Sequence, residues 1–109
     1  MSKQREMALK VPQLHNDGSE VPPEVRKKIE NFLLIWFGGF SRHDSCGAWR
    51  SESGQRFDDV CWHYEIASSQ FIGDEVADDL LLSIAQIVKR DCAQESVYVR
   101  LWDGSVQFV

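Results

Sequence analysis

Apolar and polar positions alternate most clearly at the end of the chain. In residues 96–109 two alternating runs flank Asp103-Gly104, the dipeptide best suited to a two-residue type I′ turn. Such a turn pairs Trp102 with Ser105 and sorts the side chains. Val97, Val99, Leu101, Val106 and Phe108 then form an apolar wall, while Tyr98, Arg100, Trp102, Ser105, Gln107 and Val109 face the other way.

The same reading, carried upstream, yields five further elements. Leu9-Lys10-Val11 reads as a short strand that Pro12 ends, because proline cannot donate to a sheet ladder. Residues 1–8 read as a frayed, disordered tail, leaving one α+β domain over 9–109. Residues 15–19 are a loop by composition. Pro22-Pro23 opens a helix whose stripe is Val25, Ile29, Phe32, Leu33 and Trp36 and which Gly38-Gly39 stops. Residues 46–66 read as a hairpin: a strand over 46–51, a turn at Glu52-Ser53-Gly54, then a longer strand to Ile66. The returning run puts Val60, Trp62, Tyr64 and Ile66 on one side and Cys61, His63 and Glu65 on the other. Asp58-Asp59 are poor strand formers and suggest a bulge. A second helix opens with Asp74 as N-cap, buries Val76, Leu80, Ile84, Ile87 and Val88, and ends on Lys89-Arg90.

The predicted order is β-α-β-β-α-β-β. It suits a ferredoxin-like split β-α-β sandwich, an antiparallel sheet with both helices on one face and an extra C-terminal edge strand. One stripe per helix and one apolar side per strand leave the other sheet face to water or to a partner.

Composition narrows the function. The 109 residues are 43% hydrophobic, with four Trp and six Phe, enough for a core without metal or disulfides. A net charge of −5 argues against a nucleic-acid binder, because phosphate recognition gathers Lys and Arg. Three cysteines without a Cys-x-x-Cys pair, and an N-terminus without an apolar core, point to reduced thiols in the cytoplasm. The longest apolar run, 32–37, is too short to cross a bilayer.

No catalytic constellation emerges. Cys46 would lie opposite Cys61, near His43 and His63, but these spacings do not match structural zinc pairs, so no metal and no cofactor is expected. No helix N-terminus or oxyanion loop lies beside either thiol. Phe37-Gly38-Gly39-Phe40 follows a helix instead of preceding one and reads as a helix stop, not a phosphate cradle. Asp58 and Asp59 point to opposite faces and cannot form a dyad. Glu75, Asp78 and Asp79 sit where a helix dipole favours negative charge.

The main candidate surface is therefore the open sheet face, with His63, Glu65, Tyr98, Arg100, Trp102 and Gln107 projecting together if their strands are neighbours. Tyr, Trp and Arg bind strongly per side chain. The first expectation is a non-enzymatic module that occupies a protein partner through this face, with a second copy covering it as a homodimer. The alternative is a binder or sponge for a nucleotide-like small molecule. Its pocket would lie between Gly38, Gly39, Trp49 and Arg50, or at a dimer seam lined by the same face.

Phe37-Gly38-Gly39-Phe40-Ser41, Gly47-Ala48-Trp49, Gly54, Tyr64-Glu65 and Gln94-Glu95-Ser96-Val97 together resemble a pattern of small uncharacterised bacterial and phage proteins. There a Pro-opened helix ends at Phe-Gly-Gly-x-Thr and a Gly-x-Trp hairpin follows. The resemblance covers about residues 20–109; Ser41 stands where Thr is expected, and Cys46 and Cys61 are outside the pattern. It implies a ferredoxin-like α+β fold and no established activity. Trp49 is expected to plug the sheet edge beside the helix end, with Gly47 giving it room.

Overall fold

A computed structural model describes residues 6–67 and 73–109. All seven expected elements are present: β1 (Glu6–Pro12), α1 (Pro23–Phe37), β2 (Ser41–Arg50), β3 (Arg56–Ala67), α2 (Asp74–Asp91), β4 (Tyr98–Arg100) and β5 (Val106–Phe108). The strands form one antiparallel sheet in the order β2-β3-β1-β4-β5. This is the ferredoxin-like arrangement with an added edge strand.

Alternation along the strands decides the core. Met7, Leu9 and Val11 of β1, Tyr64 and Ile66 of β3, and Val99 of β4 all face the helices and are buried. Ile29, Leu33 and Phe37 meet them from α1, and Ala77, Leu81, Ile84, Ala85 and Val88 from α2. The buried stripe of α2 thus runs one position past part of the expected one. Val76 stands 54% exposed while Ala77 is covered. Trp36 is likewise half exposed, and Phe37 takes the core place. Gly73, not Asp74, occupies the N-cap of α2. The helices are clasped at one end by Lys28 Nζ on Asp91 Oδ2, 3.0 Å. Among the described residues no helix is long and apolar enough to cross a membrane.

Four further expectations are corrected. First, β1 begins at Glu6, and Met7 and Ala8 are fully buried in it, not part of a tail; the alternation visible in the sequence spans only Leu9 to Val11. Residues 1–5 lie outside the described ones. Second, β2 starts at Ser41, directly after the Gly38 cap at φ 83°. The polar run 41–45 has no alternation to betray a strand; β3 imposes it by pairing. Third, β2 and β3 pair without a break from Ser41↔Glu65 to Arg50↔Arg56, so Asp58-Asp59 form no bulge. That register sets Cys46 against Val60 and Cys61 against Ser45, which puts the two thiols on opposite faces. Fourth, the ribbon runs out past the helices as an exposed arm, and Trp49 does not plug the sheet. It stacks on Phe57 across the arm, ring centroids 4.5 Å apart, and stays 52% exposed. Nothing lies within 4 Å of a side chain built at Gly47.

The closing hairpin departs from a type I′ turn. Gly104 N–H donates to Leu101 O and Leu101 N–H to Ser105 O, both at 2.9 Å, with Gly104 at φ 88°. This is a type I turn completed by a left-handed glycine, a three-residue connection. The extra residue slips the register by one. Tyr98 pairs with Phe108, Val99 with Gln107 and Arg100 with Val106. A slip of one exchanges the faces of a strand, so Val106 and Phe108 join Tyr98 and Arg100 on the open face, 46% and 69% exposed. The chain makes the same turn at 15–18 and 51–54, where Gly18 and Gly54 also have positive φ.

Candidate functional site

The face opposite the helices is crossed by two rows of side chains. The first is His43, His63, Lys10, Tyr98 and Phe108, one residue from each of the five strands. His43 and His63 stand ring to ring at 4.8 Å, Lys10 Nζ lies 5.1 Å from the centre of the Tyr98 ring, and Tyr98 meets Phe108 edge-on at 5.9 Å. The second row is Ser41, Glu65, Ala8, Arg100 and Val106.

Ala8 is the key to the second row. It pairs with Glu65 on one side and Arg100 on the other, so a carboxylate and a guanidinium flank the shortest side chain in the row. Strand spacing puts their Cα atoms roughly 10 Å apart, twice about 4.8 Å. Ala8 points outward yet has no exposed surface; its longer neighbours lean over it. Arg100 Nε also donates to Glu6 O at 3.3 Å, which tethers the guanidinium stem to β1.

Electrostatics differ along the face. Burial depresses the pKa of His63, and the neighbouring His43 and Lys10 push it further down; Glu65, 3.7 Å from its Nε2, acts against them. The result is a neutral imidazole at pH 7. Burial and Asp59 raise the Cys61 thiol above its ordinary value, so it is a poor nucleophile.

His63, Glu65, Tyr98 and Arg100 thus share one face, as the alternation requires, although β1 stands between their strands. Trp102 and Gln107 do not join them. Gln107 is carried to the helix side by the slipped register. Trp102 sits in the turn, packed on the core margin, and its backbone N–H donates to Asp78 Oδ1 of α2 at 2.9 Å. The expected display loses both. It gains Lys10, His43 and Phe108. Lys10 had a legible outward position between Leu9 and Val11, whereas His43 lay outside the expected strand and Phe108 followed the wrong turn.

The alternative pocket does not assemble. Gly38 caps α1, while Trp49 and Arg50 stand near the tip of the arm. Eight residues of extended chain separate Ser41 from Trp49, roughly 26 Å. A small cleft does exist on the helix side, lined by Gln13, Leu14, Glu20, Val21, Pro23, Arg26 and Trp62. Its one cation is engaged, since Arg26 lies over the Trp62 ring at 5.6 Å and pairs with Glu30 at 3.3 Å.

No protein-family model matches the chain, and no curated protein does. Solved structures do. The fold is shared with a phage SAM lyase. The complex of that lyase with S-methyl-5′-thioadenosine superposes at a TM-score of 0.78 and 16% identity, over 100% of this chain and 91% of the other. The apo lyase gives 0.73 and 16%, over 100% and 94%. At that identity the likeness is one of fold. It nevertheless overturns two expectations, that the chain is not an enzyme and that it acts by occupying a protein partner. The phage proteins that share the whole architecture are lyases, and one holds a small thionucleoside; the small-molecule alternative accords with them.

Proposed function

We propose that this chain is a lyase acting on S-adenosylmethionine, with the substrate held on the open sheet face over Ala8. The arrangement that carries the reading is the Glu65–Ala8–Arg100 row, together with a fold matched end to end by a SAM lyase. The amino-acid end of the substrate is a zwitterion. Glu65 suits its ammonium, and Arg100 suits its carboxylate through a planar, two-pronged contact. Tyr98 and Phe108, in the adjoining row, offer ring faces for the adenine.

The chemistry explains why cations belong here. Release of S-methyl-5′-thioadenosine breaks the bond between sulfur and the amino-acid chain as the substrate's own carboxylate bonds to that carbon and closes a lactone; the electron pair of the broken bond stays on sulfur, and the sulfonium becomes a neutral thioether. Lys10 and Arg100 repel the sulfonium more than the transition state, where its charge is fading. Catalysis follows from that difference. A neutral leaving group needs no acid. A second copy of the chain covers the face and excludes water, a role supported by the exposed Val106 and Phe108 at its edge.

Purified protein incubated with S-adenosylmethionine should yield S-methyl-5′-thioadenosine by liquid chromatography, and light scattering should show more than one copy. Absence of that product, with no thermal shift from either nucleoside, would refute the proposal.

A further inference from the structure

His43, His63 and Glu65 bring three ligand atoms together on the open face, all within 4.8 Å of one another. The backbone holds them there. His43 and His63 are direct partners across β2 and β3, and Glu65 is two residues along the same strand, hence on the same side. The His63 Nε2 to Glu65 Oε1 distance is 3.7 Å, and the two imidazoles lie 32° from parallel.

We propose that these three side chains bind a divalent transition-metal ion of the kind that prefers imidazole, such as Zn²⁺ or Co²⁺. Two nitrogens and one carboxylate oxygen are a fitting donor set for such an ion, with water completing the shell. Metal–ligand bonds near 2.0–2.1 Å need donors about 3.4 Å apart around a tetrahedron. His43 is exposed, and the Glu65 side chain is 36% exposed, so rotamer changes of these two can close the remaining gap without disturbing His63, whose side chain is 11% exposed. Lys10, the β1 partner of His63, and Arg100, across Ala8 from Glu65, oppose a cation. The affinity is therefore moderate. Cys61 and Cys46 take no part: Cys61 is four residues along β3 from Glu65, and Cys46 is on the other face.

One consequence rests on the proposed function: an ion that takes Glu65 removes it from the substrate, so Zn²⁺ inhibits the lyase. Binding itself does not depend on that reading. Tag-free protein titrated with Co²⁺ should develop visible absorption bands that saturate at one ion per chain and are displaced by Zn²⁺. His43→Ala should weaken binding at least tenfold, while His15→Ala, a change in the loop against Cys92, should leave it unaltered; circular dichroism confirms that both variants fold. No bands, or equal affinity in His43→Ala, would overturn the metal site. Co²⁺ binding in a protein that never releases S-methyl-5′-thioadenosine would sink the lyase reading alone, and the reverse pattern would sink the metal site alone.

Discussion

The Tyr64 hydroxyl donates a 2.7 Å hydrogen bond to Glu30 Oε2, reaching from a fully buried ring to the margin of α1. Arg42 and Arg26 donate to the same carboxylate oxygen. Burial alone would raise the Glu30 pKa, but Tyr64 and Arg42 outweigh it and hold the carboxyl below its ordinary value. Burial first, then Glu30, drives the Tyr64 phenol well above its usual range. The contact ties β3 to α1 where the core ends. Tyr64→Phe should therefore cost about 1.5–3 kcal/mol, the worth of a hydrogen bond to a charged group, read as a lower denaturant midpoint with an unchanged slope.

Glu65→Gln keeps the shape of the face and removes its charge; Arg100→Lys keeps the charge and removes the two-pronged contact. Each should lower the release of S-methyl-5′-thioadenosine by about a hundredfold, the usual loss when one preorganised polar contact is deleted. Chromatographic rates on variants with wild-type melting temperatures check this.

Ala93 follows α2 with φ 50°, and Gln94 N–H closes the helix end on Lys89 O at 3.0 Å. A left-handed residue with a Cβ is strained there. Ala93→Gly should stabilise the protein by roughly 1 kcal/mol, visible as a higher melting temperature.

Gly104 presents the opposite case. Space around it is open, yet φ is 88°, so a side chain is opposed by backbone strain alone. Gly104→Ala should cost about 1–2 kcal/mol, whereas Gly47→Ala, also in open space but without positive φ, should be neutral or better. Chemical unfolding of the pair tests the contrast.

His63 gives the fold a pH dependence. Its folded pKa lies below its ordinary 6.5, so the unfolded chain takes up a proton that the folded chain refuses. Its contribution is complete above pH 6.5 and is lost as pH falls through the lowered folded value. His63→Gln should flatten the stability curve on the acid side of 6.5, measured by urea unfolding between pH 5 and pH 7.5.

Element type and order were legible in the sequence because strong local signals carry them. Pro22-Pro23 and Gly38 bound one helix, the 3.6-residue spacing of apolar side chains marks both, and alternation marks β3 and β4. The site was legible in part for the same reason: His63, Glu65, Tyr98 and Arg100 all take their outward direction from alternation within their own strands. What failed depended on partners. His43 lies in a polar run that becomes a strand only because β3 pairs with it. Phe108 and Gln107 exchanged faces through a single residue of turn. Trp102 looked outward until Asp78 of α2 received its backbone N–H.

The sequence by itself therefore determined the type and order of the elements and the alternation of side chains within each strand, since those follow from dihedral preference and local period. Only the tertiary structure decided that β1 lies between β3 and β4, that Ala8 separates Glu65 from Arg100, and that His43 meets His63. Strand order and register are set by burying one common face across residues far apart in the chain, and no local signal contains that sum.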